Sequence, residues 1–398
     1  MKCEWNIYTV QQLIDMGMIE PPMDGNHGEM HPKTSDYVSN GIPFIMANDL
    51  ENGKINFNEC VFITKAQAAT LRKGFAKPGD VLLTHKATIG HTAIVPDDYD
   101  TIILTPQVTY YRVIKGLNRR YLKYYFDSNY FQQLFSNWAG AGSTRAYLGI
   151  TAQRKLPIIV PPIEVQDIIA NICGSLDDKI ELNNKINENL EQQVTALFDD
   201  YYQQAITVVS FTEIVQVLGG GTPKTGESSY WNGSIPFITP KDVVSPYTLS
   251  TDKTITEEGL AHCNSRLYPV NTVFVTARGT VGKVCMSGVP MAMNQSCYAL
   301  VGKDTHQLLV YFYTLKAIDR LKHKANGAVF DAITTRDFES EEIMKLSADS
   351  VKEFLHIAEP IYQAILNYCF ENLRLVTLRD TLLPKLMSGE IDVSEVII

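Results

Sequence analysis

Two long stretches of the chain repeat apolar positions at the period of a helix seam. After the breaker VPPIE, the run 165–202 carries apolar or asparagine side chains at Ile169, Ile172, Leu176, Ile180, Asn183, Asn187, Leu190, Val194 and Leu197. The C-terminal run does the same at Phe354, Ala358, Ile361, Ile365, Tyr368, Asn372, Leu375, Leu378 and Leu382. Steps of three and four residues make one stripe, the pattern by which two helices bury a common seam. Asn187 and Asn372 fall at equivalent places, and a polar residue in such a seam fixes register at a cost in stability. Pro360 predicts a kink or a late start in the second helix. Gly389 predicts its stop.

Between the seams the pattern shortens. Strand-like runs such as VLLT and VFVT alternate with turns and with aromatic helices, YLKYYFDSNYF and LLVYFYTLKAI, so each segment reads as mixed α/β. The two segments also repeat each other. HPKTSDYVSNGIPFI (31–45) matches TPKTGESSYWNGSIPFI (222–238), and DVLLTHKATIGHTAIV (80–95) matches TVFVTARGTVGKVCMS (272–287). TPQVTYYRV (105–113) lies opposite MNQSCYALV (293–301), with Gln107 facing Gln295. The aromatic helices follow, and each ends at a glycine loop, AGAGSTR (139–145) or ANGAVFD (325–331). Shared landmarks in one order indicate an internal duplication.

The expected organisation is a first globular domain at 1–163, a central helix at 164–205, a second domain at 206–349 and a C-terminal helix at 350–398. No Gly/Ser-rich linker separates the central helix from the second domain. A helix of about 35 residues spans roughly 50 Å, and the second helix buries its seam only by returning along the first. The expected fold is therefore α/β (mixed α+β): two repeated domains held apart by two long antiparallel coiled-coil helices, with approximate two-fold symmetry.

Composition changes this picture little. An apolar content of 45% and a charged content of 20% are those of a globular protein. The N-terminus MKCEWNIYTV shows no signal-peptide pattern, and no apolar run is long enough to cross a membrane. Seven scattered cysteines without a CxxC pair read as buried thiols in a reducing cytosol.

Charge matters more. The net charge of -9 argues against nucleic acid, yet the central helix holds most of the excess acid, from Glu164 to Asp200 against only Lys179 and Lys185. The domains carry basic clusters: Arg112, Lys115, Arg119, Arg120 and Lys123 in the first, Arg320, Lys322 and Lys324 in the second. Local basic patches suffice for phosphate contact, because counterion release depends on charges at the interface. A solvated helix face is the competing reading.

Catalytic chemistry is not in view. In GGGTPKTGESSYW (219–231) the lysine follows proline and leads into a strand, whereas a nucleotide P-loop needs GxxxxGK[ST] opening a helix. No HExxH, GxSxG or HxE…PCxxC occurs. Asp80 with Lys86 suggests a nuclease cluster, but Thr84 stands where the second acid belongs. His27, His31 and His85 read as loop or core residues.

With these features together, the sequence resembles the specificity subunit of type I restriction–modification enzymes. The carriers are DGNHGEMHPKTSDYVSNGIPFI (24–45), LGGGTPKTGESSYWNGSIPFITPKDV (218–243), LDDKIELNNKINENLEQQVTALF (176–198) and LRDTLLPKLMSGEI (378–391). The resemblance implies a non-catalytic, cytoplasmic prokaryotic subunit with two target-recognition domains, each reading one half of a split site in double-stranded DNA. It further implies that the helices set the spacer and dock methyltransferase subunits, with Ile180, Asn187, Leu190, Ile365, Asn372 and Leu375 as the seam. S-adenosylmethionine would come with those subunits and ATP with the restriction–translocase subunits, and magnesium would belong to the partners also. Domains about 50 Å apart suit half-sites one to one and a half turns apart at ~34 Å per turn.

Recognition domains of this family diverge where they meet DNA, so candidate DNA contacts rest on chemistry. Lys86 and Arg278 are equivalent, and either can fork to guanine or hold a phosphate. Lys33 and Lys224 share the Pro-Lys-Thr turn, and Arg145 and Lys241 are further loop cations. Gln107 and Gln295 can pair with adenine edges, or serve as buried amides tying two loops together. The aromatic helix residues Tyr124, Tyr125, Phe126, Tyr311 and Phe312 read as core. The alternatives from other classes are a scaffold whose repeats bind only protein partners, and an enzyme subunit of unfamiliar mechanism.

Overall fold

The landmarks shared by the two halves become the same elements in the same pairings. The computed structural model describes residues 5–28, 31–140, 146–324 and 332–393. By packing, the chain divides into two units. One comprises residues 1–178 with 375–398 and the other residues 179–374, so each unit takes part of both long helices.

In the first unit the strand Val81–Lys86 is buried along five of its six residues, covered on both faces. It pairs antiparallel with Thr88–Ile94 on one side and Val108–Tyr111 on the other. In the second unit Val273–Thr276 pairs likewise with Val284–Ser287 and Cys297–Gly302. Each unit adds a second sheet built on the IPFI motif. Ile42–Ile45 lies parallel to Ile102–Leu104, and Trp231–Ile238 lies parallel to Ala292–Met293. A small antiparallel pair completes each unit, Asn6–Thr9 with Pro157–Val160 and Thr207–Ser210 with Glu342–Lys345. Parallel and antiparallel pairs with helices make both units mixed α+β.

The strand register corrects one expectation. Thr84 faces Val108, whereas Thr276 faces Cys297. The amide of Thr105 donates to Ile45 O at 2.9 Å, as Asn294 N does to Ile238 O at 3.0 Å. Gln107 therefore corresponds to Ser296, one residue on from Gln295. Side chains alternate along a strand, so a one-residue slip changes the face on which each points. The glutamines share a sequence pattern but not a structural position.

The aromatic helices are core, as their spacing implies. Tyr124, Tyr125 and Phe126 are buried in the first unit, and Tyr311 and Phe312 in the second. In the first unit the helix is broken: Ser128 ends Arg119–Asp127 and caps Asn129–Trp138, accepting from the Phe131 amide at 3.3 Å. The second unit has one continuous helix, Gln307–Lys324. The tyrosines of the first unit's aromatic helix keep their hydroxyls paired, as burial demands. Tyr121 donates to Ile159 O (2.9 Å), Tyr125 to Pro157 O (2.9 Å) and Tyr124 to the Asp177 carboxylate (2.6 Å).

The central helix runs Ile163–Gln204 and the C-terminal helix Ala348–Met387. The latter is continuous through Pro360, so the expected late start is absent; the proline lies on the exposed side. Gly389 stops it as expected, with φ of 69° just past its end. In the second unit the helix segments pack antiparallel: Phe198 meets Phe354 edge-on at 5.5 Å, and Asn183 donates to Glu371 and Asn372 at 2.8 Å each. Asn372 donates in turn to Asn184, while Asn187 reaches only Cys369 Sγ at 3.6 Å. Ile365 is buried and Leu190 packs against the same core, while Ile180 is half-buried. In the first unit Leu375 is half-buried, but Leu378 is 46% exposed. Arg379 turns inward instead and pairs with Asp177 at 2.6 Å, so the seam drifts to Leu382, Leu383 and Leu386.

Most of the basic clusters serve the fold rather than a partner. Arg112 forks onto the buried Asp80 (Nε–Oδ1 2.8 Å, Nη2–Oδ2 2.7 Å) and also holds Glu20 at 3.0 Å. These carboxylates hold its guanidinium charged. Arg120 forks onto Asp178, Lys123 pairs with Asp127 at 2.9 Å, and Lys324 pairs with Glu341. Arg320 donates to Glu342 O and to Tyr202. Of the seven thiols expected to be buried, Cys60, Cys173, Cys285 and Cys297 are buried and free, with burial raising the Cys285 thiol to about 12, while Cys263 and Cys369 are only half-buried and Cys3 lies outside the described residues. No described helix is long and apolar enough to cross a membrane.

Two stability predictions follow from these contacts. Arg112→Ala leaves Asp80, 2% exposed, with a buried charge and no counterion, which costs about 3 kcal/mol; urea unfolding of the variant measures it. Asn187→Leu removes an amide oxygen that has no partner in the seam. It raises stability by about 1 kcal/mol, seen as a higher Tm in thermal unfolding.

Candidate nucleic-acid interface

One end of each unit gathers four loops, and main-chain hydrogen bonds hold them together. In the first unit the residue before Lys86 is the hub. His85 N donates to Gln107 O at 2.9 Å, and His85 O accepts from Leu148 N at 3.0 Å. In the second unit Ala277 N donates to Ser296 O at 2.8 Å, and Ala277 O accepts from Ile333 N at 2.9 Å. Lys86 bridges to Tyr147 and Arg278 bridges to Ala332, again at matching places.

The hairpin beyond the hub is shaped by a buried threonine. Thr84 Oγ1 accepts from His91 N at 2.9 Å, and Thr276 Oγ1 accepts from Lys283 N at 2.9 Å. Both hydroxyls are fully buried. Threonine stands where an acid would be needed for nuclease chemistry because the hydroxyl closes the turn. Among the described residues no group of His, Cys, Asp or Glu is placed to hold a metal ion.

The loop after IPFI joins this end. Met46 N and Thr239 N are capped by Asp49 (2.7 Å) and Asp242 (2.8 Å) in the same turn. Gln107 Oε1 accepts from Ala47 N at 3.3 Å, and Thr280 Oγ1 donates to Pro240 O at 3.3 Å. The exposed Lys241 thus lies on the loop beside that of Arg278, and the exposed Asn48 takes the same position in the first unit. Asn48 was legible in the matched strings IPFIMAND and IPFITPKD.

The glycines of GGGTPKT have a structural reason. Gly221 N donates to Met293 O at 3.4 Å, and a Cβ on Gly220 would meet Asn294 O at 2.3 Å. Gly25 makes the same close approach in the first unit, where a Cβ would meet Leu104 O at 1.8 Å. The Pro-Lys-Thr turns are twins: Pro32 and Pro223 are buried, Lys33 and Lys224 are exposed, and a short 3-10 helix follows each. Lys33 N donates to Asp36 at 2.7 Å, and Lys224 O accepts from the Trp231 indole at 3.1 Å.

The structure therefore brings Lys86 and Gln107 together in one unit, and Lys241, Arg278 and Gln295 in the other. Gln295 is exposed and its amide accepts from Thr222, which ties it to the Lys224 loop. Both glutamines bridge loops, while the cations point outward. Among the described residues none of Lys33, Lys86, Lys224, Lys241 and Arg278 is in an ion pair. Arg145 lies outside the described residues. His85 is fully buried, its Nδ1 3.0 Å from Leu148 O, and burial lowers its pKa and keeps the ring neutral. Two neighbouring loops end in exposed cations, amides and hydroxyls on a fixed main chain, a combination able to hold phosphates and address base edges.

Comparison with known proteins agrees with this arrangement. The family described as type I restriction modification DNA specificity domain matches twice, at residues 4–192 and 204–345. The chain is 23% identical to the MjaIX specificity subunit of Methanocaldococcus jannaschii, covering 91% of this chain and 90% of that protein. It is 22% identical to the HindI specificity subunit of Haemophilus influenzae, covering 88% and 94%. A crystal structure of the S subunit of a type I restriction–modification system from M. genitalium shares the fold, with a TM-score of 0.54 at 14% identity over 96% of each chain. Two domains of one design, each with its own loop end and each matched by the same family model, place the chain in the type I restriction–modification DNA specificity family.

Proposed function

We propose that this chain is the DNA-reading subunit of a type I restriction–modification assembly and has no catalysis of its own. Each domain reads one half of a bipartite site in double-stranded DNA through its loop end. The long helices set the spacer between the halves and dock the methyltransferase subunits. S-adenosylmethionine arrives with those subunits and ATP with the restriction–translocase subunits, and magnesium belongs to the partners also. The observation that carries this reading is the duplicated loop end, where the same main-chain bonds present different side chains. Two readers of one design with different side chains suit a site whose halves differ in sequence.

Methylome sequencing of the host with and without the gene tests the reading. One bipartite methylated motif disappears on deletion; an unchanged methylome in a host expressing the partner methyltransferase sinks it.

Lys86→Ala and Arg278→Ala divide the roles further. Each weakens binding of the assembled complex about tenfold, in line with roughly 1–3 kcal/mol for a good base contact. Loss of preference at one position marks a base contact, while a uniform loss with a salt slope lower by about one marks a phosphate contact. The two variants affect opposite halves of the site. Effects of both on the same half would contradict the two-reader reading.

A further inference from the structure

The loop ends match in main chain but differ sharply at one aromatic. Tyr147 is 50% exposed although its backbone is tied on both sides, by the Tyr147 N to Ala139 O bond at 3.1 Å and by the bridge to Lys86. Its ring is also placed. It tilts against the buried His85 ring at 5.7 Å, and Lys86 Nζ lies 6.0 Å from its centroid. Its hydroxyl sits where a Cβ on Gly149 would be only 2.9 Å away, so the missing side chain of Gly149 makes room for it. His85 is held from the other side by its Nδ1 contact to Leu148 O.

The second domain has none of these parts. The main-chain bonds that superimpose His85 on Ala277 and Leu148 on Ile333 put Ala332 in place of Tyr147 and Thr334 in place of Gly149. A histidine, a tyrosine and a glycine form a ring seat in one domain, while alanine, alanine and threonine stand in the other. A large ring left half in solvent on a defined seat, beside a cation that forms no ion pair among the described residues, has no role in the core. At a nucleic-acid face such a ring contacts a base or its sugar at little entropic cost, because two torsions fix it.

We propose that Tyr147 is a specificity-determining residue of the first domain. Its ring contacts a base adjacent to the group held by Lys86, and the second domain has no counterpart to this contact. The inference rests on the DNA-reading function proposed above and assigns part of its specificity to one side chain.

The test is the methylated motif written by the full chain co-expressed with its modification subunits, compared for wild type, Tyr147→Ala and Tyr147→Phe. Tyr147→Ala relaxes discrimination about tenfold at one or two neighbouring positions in a single half-site, with the other half unchanged. Tyr147→Phe keeps the preference, because the ring carries it. Thermal unfolding of both variants matches wild type, since the side chain is outside the core. An unchanged motif in Tyr147→Ala overturns the assignment, as does equal relaxation in Tyr147→Phe or relaxation in both halves. If the wild-type complex writes no bipartite motif at all, the DNA-reading function fails first and this assignment falls with it.

Discussion

The loop end of each domain depends on two main-chain hydrogen bonds at a single residue, His85 in one and Ala277 in the other. The amide of that residue fixes the loop entering one neighbouring strand, and its carbonyl fixes the segment leading to Leu148 or Ile333. Backbone groups make both bonds, so they form whatever side chain stands there. The buried Thr84 and Thr276 close the adjoining hairpin in both copies. Geometry is thereby separated from chemistry. The frame persists through a change from histidine to alanine, while the outward residues differ: Lys86 against Arg278, Tyr147 against Ala332, Asn48 against Lys241. A protein that reads two unlike half-sites with one fold needs this separation.

The sequence revealed what repeats and what is periodic. The seams at 165–202 and 354–382 are helices because their stripe continues over many turns, and the paired motifs fold alike because each is a local pattern of turn, strand and buried proline. It misled where the structure depends on partners distant in the chain. Gln107 and Gln295 align by type, yet the strands and the three-residue loops between them match, and the glutamine is the last loop residue in one copy and the middle one in the other. The Arg112–Lys123 cluster has the composition of a phosphate patch, but Asp80, Asp127 and Asp178 claim three of its members. Tyr147 gave no signal because its seat joins His85 and Gly149, the first of them remote in sequence. Pro360 obeyed no simple rule: a helix bound along its length by packing tolerates a proline on its exposed side.

The long helices carry polar groups where an apolar seam would be more stable. Asn183, Asn184 and Asn372 bond one another and Glu371, while Asn187 leaves its amide oxygen unpartnered. An apolar seam of threes and fours slides by a heptad at little cost, whereas a slide here breaks each asparagine contact. Stability is given up for a defined register. Where helix length sets the spacing of two readers, register is part of specificity, because a slipped seam would misplace the half-sites.

Charge places a further constraint on the proposed function. Within the basic clusters Arg112, Arg120, Lys123 and Lys324 are held in ion pairs, and the central helix is strongly acidic, so those clusters offer DNA less charge than their composition suggests. Affinity for DNA through counterion release grows with the number of phosphates neutralised, and cations held by carboxylates contribute little to it. At the loop ends discrimination then rests on a few well-seated contacts rather than on a basic surface.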